Sequence, residues 1–339
     1  MSIEFGLRVP MVGKPQDTAA KAKQVEAAGF DFMWVPDTPL LAGRWRDVYM
    51  HLTCAALATK KLRLGPGVTN PITRHPVTVG SAIVTLDEVS DGRAELVVGT
   101  GYSSAYIIGR KAATLKLMRE STTLWKSIFS GKPTELGGLE IELDPPHPDL
   151  PVYLAASGPK SLQLAGEVAD GVLIMAGAHP GCVQWALEHV EAGMARAGRK
   201  REDVRRMLVL TACVDDDKQR AIELMRPAVG NLCRHAFAGE LFDRAGLARV
   251  TVPKQTAQPY PDLGHAVDWE EAKRVTAYIP DDAVEAMIAL GSGAEVADRT
   301  QALIELDLDA IWWRDHGTWA HPDALMKGVV EEVMPRVLG

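Results

Sequence analysis

The 339-residue chain has four cysteines and nine histidines, yet no C-x-x-C pair and no H-x-x-x-H spacing. A disulfide framework and a structural zinc or other metal site are therefore not expected. Cys54, Cys182, Cys213 and Cys233 read as reduced, mostly buried thiols, consistent with a cytoplasmic protein. No apolar run approaches the roughly 20 residues that a membrane helix needs. The N-terminus "MSIEFGLRVP" lacks the basic patch and long apolar stretch of a signal peptide. A concentrated basic face is missing too: the net charge is −7, and like charges gather only in short clusters such as "RKRED" and "DDD". That excludes a nucleic-acid protein and leaves a small molecule as the expected partner. What is present is an apolar fraction of 47%, enough for a large core.

Short apolar strands alternate with longer amphipathic helices. The strands are "IEFGLRV", "FDFMWVP", "KLRLGPG", "RAELVVGTG", "PVYLAAS", "GVLIMAG", "RMLVLTACV" and "LDAIWWRD". In the helix from about Lys111 to Phe129, the residues Leu115, Met118, Thr122, Trp125 and Phe129 fall on one face. Val183, Leu187, Val190, Met194 and Ala197 do the same after the sixth strand. "TELGGLEIEL" interrupts the rhythm as a hairpin turning at Gly137–Gly138. Eight strand–helix units predict a single-domain α/β protein, a (β/α)8 TIM barrel. An open doubly wound sheet is the alternative. The first strand, however, runs into "PMVGKPQDT" instead of a G-x-G-x-x-G turn. Residues 215–296 are too long for a structureless loop. They read as a helical insertion between strands 7 and 8, with "TVPKQTAQPYPDLG" its most mobile part.

The C-terminal ends of barrel strands build the active site. Here they carry Arg8, Asp37-Thr38, "GPGVTNP", "GTGYSS", "SGPKS", "AGAH" and "RDHGTW". Glycine recurs at these ends, and it lets backbone approach a ligand closely. In "ASGPKSL", Pro159 suits a first helical turn. The helix start there offers amides and a positive dipole end to a phosphate. An ordinary helix cap fits the same residues.

Three passages taken together give the chain a family resemblance. They are "GFDFMWVPD", "LGPGVTNPITRHPVTVGSAIVTLDEVSDGRAELVVGTG" and "AASGPKSLQLAGEVADGVLI". The chain resembles the luciferase-like barrel superfamily of flavin and deazaflavin oxidoreductases. Within it, the branch using coenzyme F420, including the methylenetetrahydromethanopterin reductases, is the most similar. The resemblance implies a third strand ending in a bulge with a cis peptide that does not precede proline. On this sequence that bond is Gly67–Val68, and the bulge supports the back of the deazaflavin ring. From the residues alone, a trans turn with Pro71 and Pro76 ending the strand also fits. The resemblance further implies cofactor contacts at Asp37, Gly67, Val68, Asn70, Thr100, Gly101, Ser157, Gly158, Pro159 and Gly177. It implies a homodimer as well.

The departures bear on the reaction. Strand one reads "FGLR", with Arg8 where the methanopterin reductases resemble "FGIE", and Thr38 stands where sugar-phosphate dehydrogenases have a catalytic histidine. The expected activity is hydride transfer between deazaflavin C5 and a carbonyl, imine or activated alkene. Two alternatives are an FMN-dependent monooxygenase using O2 and a non-catalytic cofactor- or phosphate-binding barrel. The catalytic candidates are Asp37, Tyr102, His179 and His316, with Asp315 placed to orient His316 and raise its pKa. Arg8 and Arg314 are the candidate substrate binders, because a lone buried charge needs a partner. His75, before Pro76, reads as structural, and one of Trp312 and Trp313 is expected to point into the barrel.

Overall fold

A computed structural model describes residues 3–254 and 259–339. The centre of the stretch read as most mobile, residues 255–258, lies outside the described residues. Eleven strands are described: β1 (Glu4–Arg8), β2 (Phe32–Val35), β3 (Arg63–Pro66), β4 (Leu96–Val98), β5 (Thr134–Leu136), β6 (Leu139–Ile141), β7 (Val152–Ala156), β8 (Gly171–Ile174), β9 (Arg205–Val214), β10 (Ala289–Gly291) and β11 (Ala310–Arg314). Eight of them run parallel in the order β3-β2-β1-β11-β9-β8-β7-β4. Bridges Leu64–Ala94 and Thr69–Val98 close β3 onto β4, making a (β/α)8 barrel. Between these bridges the chain advances five residues from Leu64 to Thr69, while its partner advances four, from Ala94 to Val98. The extra residue is a bulge, and the Gly67–Val68 peptide within it is cis.

The helices are α1 (Pro15–Ala27), α2 (Val48–Ala58), α3 (Pro76–Ser90), α4 (Tyr102–Ile107), α5 (Leu115–Phe129), α6 (Pro159–Val168), α7 (Pro180–Arg196), α8 (Lys218–Leu232), α9 (Ala238–Arg244), α10 (Trp269–Val275), α11 (Asp281–Met287), α12 (Gly293–Ile304), α13 (Asp323–Gly328) and α14 (Met334–Val337). α5 buries Met118, Thr122, Trp125 and Phe129 along the apolar face its spacing predicts. β5 and β6 form the expected hairpin, with Gly137 and Gly138 both at positive φ. Two expectations need correction. "DDAVEAMIAL" is not helical throughout: α11 stops at Met287, and Ala289–Gly291 form β10, pairing parallel with Ala212–Val214 beyond the end of β8. The segment between β9 and β11 is therefore not purely helical, and position 296 falls inside α12. Among the cysteines, all free, only Cys182 is fully buried.

Side-chain alternation splits the barrel strands into an outer and an inner set. Phe5, Leu7, Ile311 and Trp313 join the core under the helices. Phe32, Trp34, Val97, Tyr153, Leu173, Met207, Val209, Ala310 and Trp312 fill the lumen, so the barrel is packed through its middle. Below that layer, at the N-terminal end of the strands, Glu4, Arg63, Glu95 and Arg205 form a closed ionic network. Arg63 Nε lies 3.0 Å and Arg205 Nη1 lies 3.2 Å from Glu95 Oε1, and both guanidinia also pair with Glu4. Trp34 Nε1 donates to Glu95 Oε2 at 2.8 Å.

Candidate active site

Above the lumen layer, the same alternation turns Arg8 and Arg314 inward at the C-terminal mouth. Their strands pair in register, Gly6 with Trp312 and Leu7 with Trp313, which sets Arg8 beside Arg314. Arg8 is only 6% exposed. Its Nη1 donates to the Gly317 carbonyl at 2.7 Å and lies 4.0 Å from Asp315 Oδ1. Burial, then the neighbouring Arg314, lowers its pKa to about 10, against the pull of Asp315. Arg314 has no hydrogen-bond or ion-pair partner among the described residues, and burial lowers its pKa against the attraction of Asp315 and Asp262. Burial raises the pKa of Asp315, opposed by Arg8 and Arg314.

Two strands round the barrel from β1 stands the bulge. A side chain on Gly67 would run into Trp34 at 2.6 Å and Trp312 at 2.9 Å, so only glycine seats the bulge against the lumen tryptophans. Asn70 is fully buried. Its Oδ1 accepts from the amides of Ile72 and Thr73 at 3.0 and 2.9 Å, while its Nδ2 has no partner. Gly101, at φ 74°, presses on that side chain; a Cβ there would lie 2.6 Å from Asn70 Cγ. Asp37, 1% exposed, accepts from Thr69 Oγ1 at 2.7 Å and pairs with Arg74. Its Oδ1 is unpartnered. Asp37 is not a helix cap; Asp47 caps α2. Thr38 Oγ1 lies 3.1 Å from Ser104 Oγ, which donates to the Asp37 carbonyl at 2.8 Å.

The other sequence candidates fall in different places. Ser157, Gly158 and Pro159 sit half-buried at the start of α6, with the Gly158 amide donating to Ser161 Oγ at 3.2 Å. Phe237 overlies Gly158. The Thr100 carbonyl accepts from Ala113, and Gly177, at φ 80°, faces Met287. Tyr102 opens α4 and is 71% exposed. His179 caps α7, its Nδ1 accepting from the Gly181 amide at 3.1 Å; that nitrogen is committed to structure. His75 caps α3 in the same way. His316 corrects the sequence reading most sharply. It packs on Trp269 at 5.3 Å, and burial, with Lys273, lowers its pKa to about 4. Asp315 faces Arg8 instead of raising it. Trp312 enters the lumen and Trp313 the outer core.

Sequence reasoning missed an aromatic cluster among the segments that follow β2 and β11. Trp45 lies 6.1 Å from His265 and 5.9 Å from Trp319. Trp319 Nε1 donates to the Ala266 carbonyl at 2.9 Å, and Arg44 stacks on the same indole at 4.9 Å. Asp262 contacts His265 at 2.9 Å and bonds Ser103. Met175 follows Leu173 on the inward side and is 38% exposed. No periodicity links residues 45, 265 and 319, so only the fold brings them together.

This parallel barrel carries unpartnered buried amide and carboxylate atoms beside a glycine-backed bulge at its C-terminal mouth. Comparison with known proteins gives the family. A model of the luciferase-like monooxygenase family matches residues 4–310, and the chain belongs to that family. It is 35% identical over 238 residues to a 5,10-methylenetetrahydromethanopterin reductase of Archaeoglobus fulgidus, covering 67% of this chain and 69% of that one. It is 26% identical to an F420-dependent glucose-6-phosphate dehydrogenase of Beutenbergia cavernae, over 95% and 94% of the two chains. The solved coenzyme F420-dependent tetrahydromethanopterin reductase of Methanopyrus kandleri superposes with a TM-score of 0.80 at 24% identity, over 99% of this chain and 100% of that one.

Proposed function

We propose that the chain is an F420-dependent oxidoreductase that moves a hydride between deazaflavin C5 and a small organic substrate bearing a carbonyl, imine or activated alkene. The reading rests above all on the unmet hydrogen-bonding capacity of Asn70 Nδ2 and Asp37 Oδ1 beside the β3 bulge. It is supported by a relative at 35% identity that is named as a methylenetetrahydromethanopterin reductase. When bound, the cofactor supplies the hydride. Gly67 and Val68 would back its ring, and Asn70 would donate to the ring's polar edge. Thr100, Gly101, Ser157, Gly158, Pro159 and Gly177 would line the path of its tail. Asp37 holds the bulge through Thr69 and is itself fixed by Arg74. Asp315, 4.0 Å from Arg8, would serve as the counterion of the arginine pair at the mouth. Arg8 and Arg314 would orient the substrate.

Titrating the purified chain separately with F420 and FMN, following absorbance and protein fluorescence, tests this reading. Saturable F420 binding that weakens in Gly101→Ala is expected. Tight FMN binding with none of F420 would replace the reading by the monooxygenase alternative. A homodimer belongs to the same proposal. The outer face of α2 carries Met50, Thr53, Cys54 and Leu57 without a charge, with Met50 63% and Leu57 74% exposed, an apolar stripe fit for a partner copy. Leu57→Glu is expected to yield a monomer in light scattering. No helix among the described residues is long and apolar enough to cross a membrane.

A further inference from the structure

The lumen contains two arginine pairs, and the chain treats them differently. At the bottom, Arg63 and Arg205 share two carboxylates, Glu4 and Glu95, so two positive charges meet two negative ones. At the mouth, Arg8 and Arg314 stand side by side on paired strands, and the carboxylate beside them is Asp315, 4.0 Å from Arg8. Asp262, the other acid that Arg314 feels, is engaged by His265 at 2.9 Å and by Ser103. Two guanidinium charges against one carboxylate leave one positive charge uncompensated. It sits where Arg8 is 6% exposed and Arg314 has no hydrogen-bond partner among the described residues. Arg314 is half-buried, and a charge partly withdrawn from water gains from a counterion; the same barrel shows at its other end how such a pair is settled. The missing partner is one monoanionic group.

We propose that Arg8 and Arg314 form a binding pair for a carboxylate carried by the substrate, so that the enzyme acts on a carboxylic acid. A planar guanidinium fork matches a carboxylate edge to edge. A single negative charge balances the pair together with Asp315, whereas a phosphate dianion exceeds the deficit. The pair lies one inward step above Gly6 and Trp312, and Trp312 also abuts Gly67 of the bulge. A bound carboxylate therefore fixes one end of the substrate two strands round the mouth from the proposed ring site. The assignment of a substrate rests on the functional reading above; the anion site itself does not.

Calorimetric titration of the full chain, with and without F420, using benzoate, benzamide and inorganic phosphate as probes, tests the proposal. Benzoate should bind saturably and benzamide at least about tenfold more weakly. Arg8→Gln and Arg314→Gln should each weaken benzoate about 30-fold and leave F420 affinity within about threefold. Arg314, only half-buried, provides the variant of choice should Arg8→Gln misfold. Equal binding of benzoate and benzamide, tighter binding of phosphate than of benzoate, or loss of F420 in step with benzoate would each overturn the proposal. Benzoate binding with the expected variant dependence, but no F420 binding, would sustain the anion site and defeat the F420 reading instead.

Discussion

The two ends of the barrel lumen are both charged, yet the carboxylates of one are fully paired and those of the other are not. At the N-terminal end, Glu95 touches Arg63, Arg205 and the Trp34 indole, and no carboxylate oxygen there is left over. At the C-terminal end, Asp37 Oδ1, Asn70 Nδ2 and Asp315 Oδ1 are buried without partners. Buried polar groups are normally satisfied, and exceptions call for an explanation. The difference separates carboxylates that are met within the cylinder from polar atoms that are left open, although both sets stand on the barrel strands or at their ends.

Substitutions at each end should pull the two roles apart. The largest effect is expected from Glu95→Ala, which strands two guanidinia in the lumen floor. Stability in urea should fall by about 3–5 kcal/mol; an unchanged midpoint would end the distinction. Next comes pH. His316 has a folded pKa lowered to about 4, so the folded state binds fewer protons than the unfolded one between that value and 6.5. Its contribution is complete above pH 6.5 and is lost as pH falls toward 4, by at most about 3 kcal/mol. His316→Asn should flatten the dependence of the urea midpoint in that window. A smaller effect is expected from Asn70→Ser, which removes the unpartnered Nδ2. F420 affinity should drop about tenfold, or ~1.4 kcal/mol, by fluorescence titration, with little change in stability. Smallest of all, Arg314→Met should move stability by less than about 1 kcal/mol, because the half-buried Arg314 side chain has no hydrogen-bond or ion-pair partner to lose among the described residues. A loss comparable with that of Glu95→Ala would show that the mouth, too, is structural.

Much of the barrel was legible in the sequence because its signal is periodic. The apolar runs became β1–β4, β7–β9 and β11, and Pro159 and Pro76 opened helices where a proline belongs. β10 was not legible. "MIAL" has no pattern that separates a strand from a helix end, and its pairing with Ala212–Val214 is a tertiary fact. At the mouth, the residues on the bulge and after β2 could be named because glycine and asparagine mark irregular backbone. The state of His316 could not. Its neighbour in sequence, Asp315, turns toward Arg8, and its neighbour in space is Trp269. The floor network escaped for a related reason. Glu4, Arg63, Glu95 and Arg205 sit at strand starts far apart in the chain, where isolated charges look like ordinary surface.

The contacts among Trp45, His265 and Trp319 join the segment before α2, a short 3-10 turn ending at His265 and the segment after β11. Leu263 and Ala266, within two residues of His265, are buried, so the three rings are seated in packed surroundings. A change at one ring is then felt in three distant stretches of the chain together: the segment leading into α2, the turn around residue 265 and the segment after β11 answer to one another through side chains alone.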